Sequence, residues 1–143
     1  MNLKIINTSD NPLPKYETKG SAGMDLLANV QEPITLKPLE RALVPTGLFM
    51  EIPVGYEGQV RPRSGLSIKH GVTLVNCVGT IDSDYRGEVC IPMINLGHEP
   101  FSIEKGDRVA QMVICSYTQV DLVEVEDISE TTRGTGGFGS TGV

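Results

Sequence analysis

The chain has no tryptophan, and aromatic residues make up only 5% of its 143 residues. Its core must therefore be built from Val, Ile, Leu and Met side chains. Long apolar runs are also missing, so the sequence contains no segment of the length that a membrane-spanning helix needs. Met1 and the residues after it lack the pattern of a signal peptide. We therefore expect a cytoplasmic protein with no membrane partner.

Positive charge is scarce as well: 12 Lys and Arg stand against 18 Asp and Glu, a formal net charge of −6. This balance argues against a nucleic-acid partner, which requires a basic face, although a small anion needs only a local cluster of cations. His70 and His98 lie far apart in the sequence and offer little for histidine catalysis. Cys77, Cys90 and Cys115 lack the spacing of a zinc site and indicate buried free thiols in a reducing compartment.

Glycine and proline are plentiful by contrast, with 16 and 9 residues. Short strand-like segments recur between them, which predicts an all-β sandwich or barrel in one domain. One short helix is expected over Ser64–His70, with Ser64 as its N-cap and Gly71 as its end. The predicted strands are 3–6, 24–28, 34–36, 41–44, 47–52, 56–61, 73–75, 88–95, 101–103, 108–120 and 122–125. The nearly continuous apolar run 109–117 predicts a strand that is covered on both faces.

The last eleven residues, 133–143, contain five glycines and form no packing pattern. Gly backbone allows N–H groups to converge on an anion, and Arg133, Ser140 and Thr141 add a guanidinium and two hydroxyls. Phe138 adds a ring that can stack on a base. The segment is therefore either a nucleotide-binding arm or a disordered tail. We divide the chain into a core, 1–126, and a Gly-rich C-terminal arm, 127–143.

Four polar positions within the core suggest chemistry. Arg63 and Ser64 stand at the predicted helix start, where they indicate either a phosphate site or a capped surface helix. Asp82 follows the segment Val78-Gly-Thr-Ile81 and is the best candidate for a sheltered general base, although Asp and Gly here also fit an ordinary turn. Asp25 lies among apolar residues and needs a partner, either a hydrated Mg²⁺ or an ion pair at a strand edge.

Two further features lie near residue 110. Lys105-Gly-Asp-Arg108 is typical of a hairpin turn. Gln111 interrupts the apolar run and needs hydrogen bonds, either within the structure or to a ligand.

Five segments follow one another in a fixed order: SAGMDLLA (21–28), RPRSGLSIKHG (61–71), VGTIDSDYRG (78–87), GDRVAQMV (106–113) and RGTGGFGSTG (133–142). Together they closely resemble the five ordered motifs of the trimeric dUTPases, over nearly the whole chain. The resemblance implies a distorted jelly-roll β-barrel, a homotrimer with active sites shared between subunits, and hydrolysis of dUTP to dUMP and pyrophosphate with Mg²⁺. It also implies the family's role of limiting uracil in DNA and supplying dUMP for thymidylate synthesis.

The resemblance implies a role for individual residues. Asp82 is similar to the base that activates the attacking water, with Gln111 and Ser64 beside the reacting phosphates. Tyr85 resembles the residue that packs on deoxyribose and excludes a 2′-OH, and Asn76 belongs to the hairpin that reads uracil. Asp25 matches the acid that is linked to Mg²⁺ through water. The full set of implied substrate-binding residues is Arg63, Ser64, Gly65, Asn76, Gly79, Thr80, Ile81, Asp82, Tyr85, Met93, Gln111, Arg133, Phe138, Gly139, Ser140 and Thr141.

Two rival functions remain open. The dCTP deaminases share the implied fold but carry a Glu about ten residues beyond the aspartate of the third motif, near which this chain has Pro92. A nucleotide-responsive regulator that binds a protein partner is the other alternative.

Overall fold

Ten strands and one helix form the chain in a computed structural model, which describes residues 1–137. The strands are β1 (Lys4–Asn7), β2 (Gly23–Leu27), β3 (Ile34–Leu36), β4 (Arg41–Glu51), β5 (Tyr56–Arg61), β6 (Val72–Leu74), β7 (Gly79–Ile81), β8 (Glu88–Asn95), β9 (Phe101–Ile103) and β10 (Arg108–Ser116). The helix α1 (Ser64–His70) lies between β5 and β6. The prediction of an all-β fold with one short helix is confirmed.

The strands form three antiparallel sheets, in the orders β1-β4-β8-β6, β2-β10-β5-β7 and β3-β9. All three sheets contribute to one core, which contains Ile91 and Met93 of β8, Met112 of β10 and Ile103 of β9. Each of these four side chains is 0% exposed. The described strands do not close into a single barrel. Where the sequence predicted a barrel, the structure has three sheets packed around this core.

β4 joins two predicted strands into one. Pro45 and Gly47 suggested a break, but the strand continues through a register shift between Pro45 and Phe49, where proline is tolerated. Side chains replace the missing ladder there, because Thr46 Oγ1 donates to the Val89 carbonyl at 2.6 Å and the Gly47 N–H donates to Glu88 Oε1 at 2.7 Å.

β10 is a central strand, but it is shorter than predicted. It ends at Ser116 rather than near residue 120, and residues 122–125 form no strand, since no partner strand of the described chain lies beside them. Val109, Ala110 and Met112 are buried, whereas Gln111 and residues 113–115 are half-buried. The prediction that both faces are covered therefore holds for one face only in the single chain.

Three local predictions are corrected by the structure. Ser64 is the first helical residue and not the N-cap, which is Arg63 and makes no side-chain capping bond; Gly71 does end the helix, with φ 68°. The turn at Gly106 has φ 85°, but it joins β9 to β10 in different sheets and is no hairpin. The cysteines are unpaired but not buried, because Cys77 is exposed and Cys90 and Cys115 are half-buried. Within residues 1–137, no helix has the length and apolar character needed to span a bilayer.

Candidate active site

An open cleft lies between the β6–β7 turn and the loop that leads into β8. Its volume is about 320 Å³, and it gathers four of the predicted substrate residues, Asn76, Thr80, Ile81 and Asp82, with Tyr85 as a fifth. The remaining lining residues are Leu43, Glu88, Cys90 and Pro92. One surface thus joins residues predicted to read the base, to contact the sugar and to activate water.

The β6–β7 turn shapes one side of this cleft. β7 pairs with β5, with Gly79 opposite Val60 and Ile81 opposite Gly58. Gly79 is buried, and a Cβ atom built on it would lie 3.1 Å from Nδ2 of Asn76, so a larger residue would press on that amide. Asp82 follows the last residue of β7 directly. Its position is anchored by the strand, as expected, but its side chain is exposed and not sheltered in the single chain.

Tyr85 forms the other side. Its hydroxyl donates a hydrogen bond to the Glu88 carbonyl at 3.0 Å, which fixes the ring across the loop. Gly87 lies against this ring with no room for a Cβ atom. Tyr85 as a whole remains 43% exposed and lines the cleft, so its surface is free to contact a ligand.

The predicted substrate residue Met93 is buried in the single chain, whereas Cys90, for which no site role was predicted, faces the cleft. Met93 is 0% exposed within the core, between Ala42 and Leu74 in the sheet register, so it offers no surface to a substrate. Cys90, three residues earlier on β8, lines the cleft instead. Partial burial, with the nearby Glu88 carboxylate as a smaller cause, raises the pKa of the Cys90 thiol. The alternation of β8, with Cys90 half-buried and Met93 buried, is the signal that would have distinguished them.

A cluster of opposite charges lies at the far end of the same sheet. Asp25 Oδ1 is 3.0 Å from Arg63 Nε, and its Oδ2 is 3.4 Å from the NH1 nitrogen of Arg108. Arg108 also reaches Glu17 at 4.0 Å, and Arg63 donates to the Arg108 carbonyl at 3.2 Å. Since β2 is an edge strand, Asp25 takes the strand-edge ion pair that the sequence left open.

Gln111 links this cluster to the loop before α1. It lies opposite Arg61 on one side and Asp25 on the other, and its Nε2 donates to the Pro62 carbonyl at 3.0 Å. Ser64 and Gly65 follow, and both are exposed. Arg63, Ser64, Gly65 and Gln111 therefore lie along one short stretch of surface.

The residues fit Mg²⁺ only indirectly. Both carboxylate oxygens of Asp25 face guanidinium groups, and within residues 1–137 no group of three or more His, Cys, Asp or Glu side chains is arranged to hold a metal ion. A cation here would have to be held by substrate phosphates and water. This is the water-mediated link to Asp25 that the family resemblance implies.

The cleft and the charged cluster do not meet within one chain. Gln111 is opposite Arg61, whereas Asp82 lies one residue beyond the Ile81–Gly58 pair. Four residues along the strands and two strand spacings separate them, which amounts to about 16 Å between the two Cα atoms. Side chains that act on one phosphorus atom have to lie much closer together.

The C-terminal arm is described only up to residue 137. Arg133 Nε donates to the Gly136 carbonyl at 2.8 Å within a short turn, and its side chain is exposed. Phe138, Gly139, Ser140 and Thr141 lie outside the described residues, so their predicted contacts remain predictions.

Comparison with known proteins decides the family. The dUTPase family model matches residues 9–142. The chain belongs to the dUTPase family. It is 62% identical over 142 residues to the deoxyuridine 5′-triphosphate nucleotidohydrolase of Finegoldia magna, with 99% of each chain covered. The enzyme of the same name from Fusobacterium nucleatum is 56% identical, with 98% of this chain and 96% of that one covered. This dUTPase is thus a nucleotide hydrolase, a dUTP diphosphatase.

Solved structures agree. The dUTPase of Staphylococcus bacteriophage 80alpha with dUpNHpp matches with a TM-score of 0.91 and 30% identity, covering 99% of both chains. A D95N mutant dUTPase of phage phi11, described with a coordinated structural Mg(II) ion, matches with a TM-score of 0.82 and 25% identity over 91% of this chain and all of that one. The family model and these solved structures are those of dUTPases.

Proposed function

We propose that this dUTPase cleaves dUTP by water attack on the α-phosphorus, with Asp82 as the general base. The observation that carries the proposal is the position of Asp82 at the end of β7, in one cleft with Asn76 and Tyr85. Asp82 takes a proton from water, the water oxygen bonds to the α-phosphorus, and the bond to the α,β-bridging oxygen breaks. The products are dUMP and pyrophosphate, which leaves with the electron pair of that bond.

Selection of the nucleoside follows from the same cleft. Backbone groups of residues 73–78 pair with the uracil edge, so cytosine would leave buried donors and acceptors unmatched. The Tyr85 ring, held by its bond to the Glu88 carbonyl, packs on the deoxyribose where a 2′-OH would otherwise fit.

The charged cluster, together with Ser64, Gly65 and Gln111 beside it, binds the phosphates. Arg63, Ser64, Gly65 and Gln111 supply a guanidinium, a hydroxyl, backbone N–H groups and an amide along one stretch of surface. Mg²⁺ would supply neutralising charge to the triphosphate when bound, and Asp25, whose carboxylate oxygens face Arg63 and Arg108, would contact it only through water. The exposed Arg133 and the hydroxyls of Ser140 and Thr141 bind the γ-phosphate, while Phe138 stacks on uracil, when the arm 127–143 closes.

The active unit is a homotrimer in which different subunits supply the cleft and the cluster. Two arguments support this. By the register and ideal strand spacing, the two groups are about 16 Å apart within one chain. In addition, residues 120–128 expose Val120, Leu122, Val123, Val125 and Ile128, between 58% and 93% each, a row of apolar side chains that needs cover.

The wider role follows from the reaction. Removing dUTP limits uracil incorporation into DNA, and dUMP is the precursor of thymidylate. A cytoplasmic location is consistent with three unpaired cysteines.

Substitution of Asp82 tests the central claim. Asp82→Asn keeps the shape of the side chain but cannot accept a proton, so kcat should fall by about 10²–10⁴-fold while dUTP binding is retained. Asp84→Asn, two residues along the same exposed turn, is the matched control and should keep wild-type turnover. An Asp82→Asn enzyme within about threefold of wild type would show that Asp82 is not the base.

A second candidate function is regulatory. It is favoured by the phage 80alpha relative, whose dUTPases are described as controlling transfer of virulence genes by a proto-oncogenic G protein-like mechanism. If this chain acts in that way, nucleotide-dependent binding of a protein partner should persist in the Asp82→Asn enzyme.

A further inference from the structure

Gly23 is a glycine whose backbone does not require one. It lies in β2, opposite Val113 of β10, and it is not among the glycines with a positive φ angle. An alanine would therefore fit the backbone of this strand. The reason for glycine has to be the space that its missing side chain leaves.

That space is taken by Gln111. A Cβ atom built on Gly23 would lie 2.6 Å from Oε1 of Gln111 and 3.5 Å from its Cδ. On its other side, the same amide donates from Nε2 to the Pro62 carbonyl at 3.0 Å. Pro62 directly precedes Arg63, whose Nε is 3.0 Å from Asp25.

We propose that Gly23 is a positioning residue of the hydrolytic site. Its missing side chain lets the Gln111 amide lie where it holds the Pro62 carbonyl, and through it the segment of Arg63, Ser64 and Gly65. The inference rests on the proposed role of that segment and of Gln111 in phosphate binding. Because the contact is with the far end of a flexible side chain, a methyl group at residue 23 moves the amide and leaves the sheet intact. Gly23 thus matters for turnover and little for stability.

Gly23→Ala tests the proposal. Loss of the Gln111–Pro62 hydrogen bond should lower kcat on the order of 10²-fold, because small displacements of positioning groups have effects of this size. KM should change much less, since the cleft that binds the nucleoside is elsewhere. The unfolding midpoint should stay close to wild type. Gly20→Ala is the matched control, because a Cβ atom there meets nothing within 4 Å, and it should change none of these values.

A double-mutant cycle shows whether Gly23 acts through Gln111. In a Gln111→Ala background, Gly23→Ala should change kcat by less than about twofold, because the side chain that it displaces is gone. Equal losses in both backgrounds, or an unchanged kcat in Gly23→Ala alone, would overturn the proposal.

A crystal structure of the Gly23→Ala enzyme separates this inference from the proposed function. If Gln111→Ala keeps wild-type kcat, the role of Gln111 under the proposed function is wrong, and the steric inference is then decided by geometry. A broken Nε2–Pro62 hydrogen bond in Gly23→Ala would support it. An intact bond would overturn it.

Discussion

Subunit complementation gives the sharpest test of the shared site. Asp82→Asn chains retain the charged cluster, and Gln111→Ala chains retain the cleft; each variant alone should be nearly inactive. Ideal strand geometry places Asp82 and Gln111 about 16 Å apart within one chain, and under the proposed function no chain completes its own site. Mixed trimers of the two variants should therefore recover activity.

The size of the recovery follows from cyclic symmetry. If each site takes its cleft from one subunit and its cluster from the next around the ring, a mixed trimer always contains one site built from two intact halves. Each mixed trimer should then show about one third of wild-type turnover, and a randomly assorted equal mixture about one quarter.

The assay is pyrophosphate release by mixed trimers that are purified through two different affinity tags. Arg63→Ala mixed with Gln111→Ala is the control, because both defects then lie in the same half-site and no intact pair can form. Mixed trimers of Asp82→Asn and Gln111→Ala that stay at the level of their parents would refute the split site and place the whole site in one subunit.

Three other outcomes are expected. Tyr85→Ala should raise kcat/KM for UTP relative to dUTP by about 10-fold or more, since it opens space for the 2′-OH; an unchanged ratio would move sugar selection elsewhere. Deleting residues 133–143 should leave the circular dichroism spectrum and unfolding midpoint unchanged but lower kcat/KM, with stacking alone contributing about 1–3 kcal/mol; full activity would exclude the arm from catalysis. In a Cys77→Ser/Cys115→Ser background, the rate of Cys90 alkylation by iodoacetamide should reach half of its maximum at a pH above about 8.5, the pKa of an ordinary thiol. The reason is that the pKa of Cys90 is raised and the thiolate is the nucleophile. Bound dUpNHpp should slow this alkylation, and a pH midpoint below about 8.5 would contradict the environment assigned to Cys90.

The strands that sequence predicts well are those whose pattern is local. β3, β5, β8 and β9 have the bounds that their alternation and flanking turn residues indicate. β7 has three residues, Gly79–Ile81, and is a strand only because β5 lies beside it. Residues 122–125 have the opposite character, since they carry a strand-like pattern but find no partner strand among the described residues. Pairing is a non-local property, and short segments depend on it entirely.

The site divides in the same way. Asn76, Thr80, Ile81, Asp82 and Tyr85, which the family resemblance assigned to the substrate, line one cleft. Motif order alone did not tell Cys90 from Met93, although the alternation of Val89, Ile91 and Met93 along β8 indicates which face is buried. The ion pairs of Asp25 with Arg63 and Arg108 join three motifs across the sheet, and no spacing in the sequence indicates them.

A site shared between subunits would explain both the separation of the cleft from the charged cluster and the exposed apolar segment. The residues predicted to act on phosphate and those predicted to hold the nucleoside alternate along the chain, yet the sheet keeps them at opposite ends of β5. Residues 120–128 leave the same sheet at the end of β10 and expose five large apolar side chains, whose burial would stabilise an assembly by about 1.5–3 kcal/mol each. Association of subunits would bury these side chains and bring a cleft and a cluster together in a single step. We therefore infer that assembly of this dUTPase and completion of its active site are the same event, so that monomers should be folded but catalytically silent.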